Sequence, residues 1–293
     1  MFECHRTPFA EMSFCKEKCI EKIFLKACKD KDQKGVECGI YYKVDVNYEE
    51  KIGAKTTFGL WNAVESNSPE ICEVLLAHPD IDVNKKGGEY EETAFMESCY
   101  QGYAAITRML IADPRVDVNI QTITGNTALL AAYYNKTECL NILRNDPRVD
   151  WNVTNKWGDT AAICAVMWNY TEAVNILSEI PSIDWNIVGD YGHTALTWAL
   201  VKGKADITRT LFGIPSLDIN IEKLKKSGRI FAMPNKELGP KGEVLFPCYK
   251  KYELPVPEPL RVGCHQITIP DPKKLEAQLR EMNLPVAKAP DRK

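Results

Sequence analysis

Apolar residues recur through the middle of the chain at the spacing of one helical face. Side chains three and four positions apart share a face of an α-helix, so each group predicts an amphipathic helix. The groups are Ile71/Val74/Leu75, Ile106/Met109/Leu110, Cys139/Ile142/Leu143, Ala173/Ile176/Leu177 and Ile207/Leu211. A proline follows every group: Pro79, Pro114, Pro147, Pro181 and Pro215. Because proline cannot continue a helix, each predicted helix ends before it.

A second helix is predicted ahead of each of these. A turn glycine stands two residues before a threonine in three places: Gly125/Thr127, Gly158/Thr160 and Gly192/Thr194. Thr93-Ala94-Phe95 opens a fourth unit, with Glu91 in the glycine position. Threonine is a good helix N-cap, and an apolar stretch follows each one. Gly102, Asn169 and Gly203, nine residues after the threonine, tolerate the left-handed conformation that closes a helix. The unit is therefore helix, turn, helix, loop.

A polar triplet recurs in phase with these helices. The six copies are Asp45-Val46-Asn47, Asp82-Val83-Asn84, Asp117-Val118-Asn119, Asp150-Trp151-Asn152, Asp184-Trp185-Asn186 and Asp218-Ile219-Asn220. Successive asparagines are 37, 35, 33, 34 and 34 residues apart. A period of this size is the signature of a stacked-repeat protein.

These residues resemble the ankyrin repeat, whose pattern is Gly-x-Thr-Pro-Leu-His, Ala-Ala, Gly, Val-x-x-Leu-Leu and Asp-Val-Asn. Gly125-Asn126-Thr127-Ala128-Leu129 and Gly192-His193-Thr194-Ala195-Leu196 are the nearest copies. The resemblance implies an all-α fold, a solenoid of about five to six helix-turn-helix units with short loop or hairpin fingers. It covers residues 47–220. An extended, proline-rich C-terminal tail follows.

The chain departs from the family pattern in two places. The histidine that links neighbouring repeats in the family is replaced by Met96, Leu130, Ile163 and Thr197. We therefore expect stacking to rely more on apolar contact. Residues 1–46 are interpreted as a degenerate N-terminal capping repeat: Thr7-Pro8-Phe9 opens it, Ile20/Ile23/Phe24 form its second helix, and an insertion of roughly fifteen residues (30–44) follows.

The resemblance also implies a function, since stacked ankyrin repeats present a concave surface that binds other proteins. The family's contact positions carried onto this chain are Glu89, Tyr90, Tyr100, Gln101, Ile123, Thr124, Tyr134, Asn135, Lys156, Trp157, Met167, Trp168, Asp190, Tyr191, Val201 and Lys202. Tyrosine and tryptophan dominate binding hot spots, so the candidate site residues are Tyr90, Tyr100, Tyr134, Trp157, Trp168 and Tyr191. The alternative is that these rings only pack on neighbouring loops. Trp61, Trp151, Trp185 and Trp198 occupy packing positions.

Charge and composition limit the classes of partner and the cellular locations that we expect for this chain. Residues 221–293 carry 15 Lys and Arg against 9 Asp and Glu, which leaves a net charge of −9 on residues 1–220. An acidic body argues against nucleic acid, whose phosphates are bound by Lys and Arg. The N-terminus lacks the apolar run of a secretory signal, and no stretch approaches the roughly 18 apolar residues of a membrane span. Eleven cysteines without recurring spacing fit reduced thiols. We expect an intracellular protein, in the cytoplasm or nucleus, monomeric by itself.

Catalytic and metal-binding motifs are missing from the sequence. The four histidines, His5, His78, His193 and His265, belong to no recognised catalytic motif, and no phosphate-binding glycine loop occurs. We therefore expect neither enzymatic activity nor a cofactor. Cys4, His5, Cys15 and Cys19 could supply soft ligands to zinc, but their spacing does not give two tight ligand pairs. Ordinary helix cysteines are the preferred interpretation, and the expected metal content is none.

The tail, residues 221–293, holds 10 of the 17 prolines, which favour extended backbone. A short amphipathic helix is predicted near residues 272–283, with Leu275, Leu279 and Met282 on one face. Leu254-Pro255-Val256-Pro257 faintly resembles the end of a SOCS box, although the preceding helix of that module is missing. The alternative function is therefore a substrate-recognition adaptor of a ubiquitin ligase complex that acts through the tail.

Overall fold

A computed structural model of the chain describes residues 17–218 except residues 130, 132–133, 190–191 and 203. The chain divides into two compact units. Unit 1 is Met1–Lys156 with Glu172–Ile183, and unit 2 is Trp157–Thr171 with Asp184–Lys293. The predicted tail helix and the first segment of the degenerate capping repeat lie outside the described residues.

Short helices are the main regular elements of the described chain, with two small hairpins. The helices are α1 Glu17–Lys29, α2 Gln33–Tyr41, α3 Gly59–Glu65, α4 Pro69–Leu76, α5 Ala94–Gln101, α6 Ala104–Ala112, α7 Thr137–Leu143, α8 Ala161–Met167, α9 Thr171–Ser178, α10 Ala195–Val201 and α11 Ala205–Phe212. The strands are β1 Glu49–Ile52, β2 Lys55–Phe58, β3 Lys86–Gly87 and β4 Glu92–Thr93. This is the expected ankyrin architecture of helix pairs with hairpin fingers. No helix in the part of the chain described is long and apolar enough to cross a membrane.

The two hairpins of unit 1 are antiparallel and are joined edge to edge. β1 pairs with β2 in the register Glu49 opposite Phe58, and β3 pairs with β4. Thr56 and Gly88 link β2 to β3 through two backbone hydrogen bonds: Thr56 N–H donates at 3.2 Å and Gly88 N–H at 2.8 Å. Neighbouring fingers therefore hold each other in place.

The helices pack in two rows within unit 1. α1, α3 and α5 lie side by side as first helices, and α2, α4, α6 and α7 follow as second helices. In unit 2, α8 packs against α10, and α10 packs against α11. The threonine caps predicted from the sequence are present: the Oγ1 atoms of Thr93, Thr160 and Thr194 each accept from the amide three residues on, at 3.3 Å.

The triplet asparagines form a ladder between consecutive repeats. The Nδ2 groups of Asn47, Asn84, Asn119, Asn152 and Asn186 donate to the backbone carbonyls of Asp80, Arg115, Arg148, Ser182 and Ser216 at 2.7–2.9 Å. The Oδ1 atoms of Asn47, Asn84, Asn119 and Asn186 accept from the amides of Asp82, Asp117, Asp150 and Asp218 at 2.6–2.9 Å. One side chain thus satisfies a donor and an acceptor of the next repeat, which explains why the triplet keeps its period.

Two arginines reinforce the stack within unit 1. The Arg115 guanidinium pairs with Asp113 at 2.6 Å and donates to the carbonyl of Leu76 in the preceding repeat at 2.7 Å. Arg148 pairs with Asp146 at 2.7 Å and donates to the carbonyl of Ile111 at 2.6 Å. Sequence analysis expected stacking to rely on apolar contact. Met96 and Ile163 are indeed buried, but the asparagines and arginines add a polar component that this expectation lacked.

The N-terminal region differs from its predicted layout. Ile20, Ile23 and Phe24 lie in α1, which packs against α2 and α3 in the place of a first helix. The predicted insertion contains α2, which takes the second-helix place. α2 holds Gly39, where an added Cβ would lie 2.6 Å from the Phe24 ring. Glycine lowers the helix propensity of this segment, but Gly39 is required because a larger side chain would clash with the Phe24 ring.

Candidate protein-binding surfaces

Five of the six candidate aromatic residues are described, and all five are half-buried. Tyr90 lies in the finger between β3 and β4, Tyr100 near the end of α5, and Tyr134 ahead of α7. These three belong to unit 1. Trp157 and Trp168 belong to unit 2, and Tyr191 lies outside the described residues. The tryptophans assigned to packing, Trp61, Trp151, Trp185 and Trp198, are 1–3% exposed, which confirms that assignment.

Tyr100 and Tyr134 meet in unit 1. Their ring centroids are 4.6 Å apart and the planes are inclined at 80°, the edge-to-face arrangement that aromatic pairs favour. Both residues stand seven positions after a capping threonine, Thr93 and Thr127, in consecutive repeats. The repeat therefore brings two aromatic contact positions together into one half-exposed patch.

The surroundings of these tyrosines are acidic. Burial, with the nearby charges of Glu97 and Glu92, raises the pKa of Tyr100 to about 12. The pKa of Tyr90 is raised by burial and by Glu89 and Glu92. A carboxylate disfavours a second negative charge beside it, so both phenols remain neutral donors at physiological pH. The tyrosine surface of unit 1 is thus an aromatic surface with carboxylates close to its phenols. Glu89 is exposed, whereas Glu92 and Glu97 are only 6% and 8% exposed.

The finger loops around this surface are held by hydrogen bonds. The Ile123 amide donates to the Tyr90 carbonyl, and the Lys156 amide donates to the Thr124 carbonyl, both at 3.0 Å. Ile52 and Ile123 remain 63% and 41% exposed near the finger tips. The fingers of unit 1 therefore offer apolar side chains on a fixed backbone, and a partner pays little ordering cost to bind such a surface.

Unit 2 carries its large side chains at the next contact position of the repeat, eight residues after the threonine and not seven. Trp168 closes α8, with its amide donating to the Cys164 carbonyl at 3.0 Å. Lys202 stands at the same place in the next repeat, eight residues after Thr194, and follows α10. Because α8 and α10 pack together, an aromatic and a cationic side chain end adjacent helices.

Sequence analysis missed a basic cluster in unit 2. The His193 ring lies 4.6 Å from the Trp198 ring, and the Lys202 ammonium lies 5.3 Å from the same ring. Burial and the Lys202 charge lower the pKa of His193 to about 4. Burial and Lys204 lower the pKa of Lys202. Lys202 is one of the family contact positions but, not being aromatic, is not one of the six candidate residues. The sequence signal for the cluster is the histidine directly before the capping Thr194.

Six of the described cysteines are part of the hydrophobic core. Cys28, Cys38, Cys72, Cys99, Cys139 and Cys164 are free thiols and are all buried. Burial raises the pKa of Cys72 to about 12, and it also raises the pKa values of Cys28 and Cys99. These thiols stay protonated and unreactive. Of the four zinc candidates, Cys4, His5 and Cys15 lie outside the described residues and Cys19 lies in α1. Elsewhere in the described chain, no three His, Cys, Asp or Glu side chains are grouped to hold a metal ion.

The family and the solved structures that the chain resembles all contain ankyrin repeats. The family model described as ankyrin repeats (3 copies) matches residues 60–147 and 128–223. The solved structure of EF0377, an ankyrin repeat protein, superposes with a TM-score of 0.59 at 25% identity, over 65% of this chain and 96% of that one. The ankyrin repeat domain of Bcl-3, described as a unique member of the IkappaB protein family, gives 0.58 at 19% identity, over 67% and 86%.

No curated protein matches the chain. The family match nevertheless covers more than half of the sequence, and the phased asparagine ladder, capping threonines and paired helices account for it residue by residue. The chain belongs to the ankyrin-repeat family.

Proposed function

We propose that this chain is a non-enzymatic interaction module, or scaffold, that binds a partner protein on the finger and first-helix surfaces of its repeats. The observation that carries the proposal is the Tyr100–Tyr134 pair, 4.6 Å apart at two family contact positions. Rigid, half-exposed aromatic rings ringed by polar groups are the anchors of protein interfaces. Trp157 and Trp168 are the corresponding anchors proposed for unit 2.

The acidic surroundings of Tyr90 and Tyr100 favour a protein over nucleic acid as the partner, because phosphates would meet the exposed Glu89 and be repelled by the nearby charges of Glu92 and Glu97. We further propose an intracellular location for the chain, supported by the six buried free thiols. The ubiquitin-ligase adaptor alternative depends on residues 221–293, which lie outside the described structure, and stays a prediction.

The test is quantitative partner capture from cell lysate by the full chain and by two double variants, Tyr100→Ala/Tyr134→Ala and Trp157→Ala/Trp168→Ala. The matched control is Tyr41→Ala/Tyr42→Ala. That pair is also edge-to-face, at 5.3 Å, is 76% and 50% exposed, and lies at no contact position. Specific partners should be lost from at least one test variant and kept by the control.

Half-buried rings also contribute to folding, so a second pair of variants avoids them. Ile123→Lys and Val188→Lys alter side chains that are 41% and 42% exposed, and both should fold normally by circular dichroism. They should reduce capture by placing a charge against the partner. If every variant captured the same partners as the control, the proposed binding surfaces would be wrong.

A further inference from the structure

Lys202 in unit 2 has no acidic counterpart among the described residues. The Lys202 ammonium lies over the Trp198 ring at 5.3 Å and is half-buried. Among the residues that the structure describes, no carboxylate lies within ion-pair distance of Lys202. Its only close electrostatic neighbours there are the charges of Lys204 and of His193 when protonated. A partly desolvated ammonium without a counter-ion is unfavourable.

His193 is a second unsatisfied group on the same ring. Its side chain is 4% exposed, it packs on Trp198 at 4.6 Å, and its Nδ1 atom is buried without a hydrogen-bond partner. Buried polar nitrogens are nearly always hydrogen-bonded in folded proteins, so an unsatisfied one needs an explanation. The imidazole and the ammonium contact one tryptophan ring, and among the described residues neither His193 Nδ1 nor the Lys202 ammonium has a hydrogen-bond partner.

The charged forms of His193 and Lys202 are both disfavoured by burial and by a nearby positive charge. Burial and Lys202 lower the pKa of His193 to about 4, and burial and Lys204 lower that of Lys202. Each positive charge thus disfavours the next. An anion placed against the cluster would stabilise all three charged forms at once.

We propose that the His193–Trp198–Lys202 cluster is a docking subsite for a carboxylate side chain in an acidic segment of the partner protein. This inference rests on the proposed function and names the chemistry of the partner that unit 2 binds. Lys202 supplies the charge, and Trp168, which stands at the equivalent position of the adjacent repeat and ends the helix packed against α10, is proposed to supply an apolar contact. A polyanion such as nucleic acid fits less well, because residues 1–220 carry a net charge of −9.

The test uses the full chain and three synthetic peptides of equal length and apolar content, which carry three Glu, three Gln or three Lys. Fluorescence anisotropy should show the Glu peptide binding roughly tenfold more tightly than the Gln peptide, with the Lys peptide weakest. Lys202→Met keeps the aliphatic stem over Trp198 and should abolish this preference without weakening the Gln peptide. Lys202→Arg should retain it.

Lys204→Met is the matched control, because it removes the same charge two residues away and should leave most of the preference intact. Equal affinity for the Glu and Gln peptides, no binding of the Glu peptide, or a preference that survives Lys202→Met would overturn the subsite. Displacement of the Glu peptide by an equal concentration of inorganic phosphate would also overturn it, in favour of a phosphate site.

The same variants separate this inference from the proposed function. If capture of partners from lysate is lost with the aromatic double variants but the peptide preference is absent, the interaction module stands and the carboxylate subsite fails. If no surface variant changes capture, the proposed function fails, and the peptide measurement still decides whether the cluster binds carboxylates.

Discussion

The candidate surfaces of the two units both use family contact positions but differ in charge. In unit 1, the Tyr100–Tyr134 pair is accompanied by Glu92 and Glu97. In unit 2, Trp168 is accompanied by Lys202, which shares the Trp198 ring with His193. The repeat therefore fixes where the family contact positions stand, while individual substitutions set the charge around them. Carboxylates in one unit and an ammonium in the other, although they stand at different repeat positions, would let one array distinguish an acidic from a basic segment of its partner.

The scaffold beneath the two surfaces is the same. Asn119 in unit 1 and Asn186 in unit 2 make the same pair of hydrogen bonds to the next repeat. Because these bonds involve none of the contact positions, side chains at the surface can vary without disturbing the stack. Substitutions in the asparagine ladder and substitutions at the surfaces should therefore have separable effects.

The largest effect is expected from Trp198→Ala in unit 2. Trp198 is 1% exposed and supports both His193 and Lys202, so its removal should cost about 3–5 kcal/mol of folding free energy. Urea unfolding followed by circular dichroism measures it. Lys202→Met is the control: it removes only the cation over the ring and should cost at most about 1 kcal/mol. Equal losses for the two variants would show that Trp198 is not the support of the cluster.

A pH-dependent effect is expected from His193. Its folded-state pKa of about 4 lies below the ordinary value of 6.5, so between these values the unfolded chain binds a proton that the folded chain does not. Stability should therefore fall as pH decreases from 6.5 to 4, by about 3 kcal/mol from this group. His193→Gln should remove that part of the acid sensitivity in urea unfolding measured at pH 7.5, 6, 5 and 4. If His193→Gln left the pH profile of stability unchanged, a different titratable group would be responsible for the acid sensitivity.

Unit 1 is expected to show the opposite sensitivity. The raised pKa of Tyr100, about 12, means that the folded chain keeps a proton that the unfolded chain loses above pH 10. Stability from this group should be lost as pH rises towards 12. The stability contributed by His193 in unit 2 is thus lost in acid, and the stability contributed by Tyr100 in unit 1 is lost in alkali.

An intermediate effect is expected from the asparagine ladder. Asn119→Ala removes hydrogen bonds of 2.7 Å to the Arg148 carbonyl and 2.9 Å from the Asp150 amide, which should cost about 2 kcal/mol. Asn186→Ala should cost a similar amount, since the ladder is common to both units. Asn141→Ala, on the exposed side of α7, is the control and should be near neutral. A loss confined to one unit would contradict the shared scaffold.

The sequence was sufficient to predict most of the fold. The triplet period located the repeats, the prolines marked the ends of second helices, and Thr93, Thr160 and Thr194 cap helices as expected. These signals are local in the chain, so they can be read without a structure. α2 was missed because Gly35 and Gly39 disfavour a helix by propensity, whereas the need to fit Phe24 is a tertiary effect.

The candidate site was less predictable. Contact positions followed from the family pattern, but the meeting of Tyr100 with Tyr134 depends on how consecutive repeats stack. The His193–Trp198–Lys202 cluster combines an apparent loop residue, a core residue and a surface residue. The unpaired state of Lys202 depends on how these residues pack and on which described side chains come near it, and no spacing in the sequence reveals either.

The smallest effect is expected from Glu91→Gly, which is predicted to stabilise unit 1. Glu91 occupies the turn position where Gly125, Gly158 and Gly192 stand in other repeats, and it adopts the same left-handed conformation, with φ of 56°. That conformation costs a residue with a Cβ about 1 kcal/mol, which glycine avoids. The exposed Lys86–Glu91 pair, at 3.8 Å, contributes little against this gain.

The reverse substitution in unit 2, Gly158→Glu, should destabilise by a similar amount, because Gly158 has φ of 68°. Urea unfolding of both variants gives the two signs. A stabilised Glu91→Gly chain that also binds its partner less well would mean that a strained glutamate is kept for binding. Unchanged stability would show that the left-handed turn carries no strain there, and the carboxylate would then need no functional explanation.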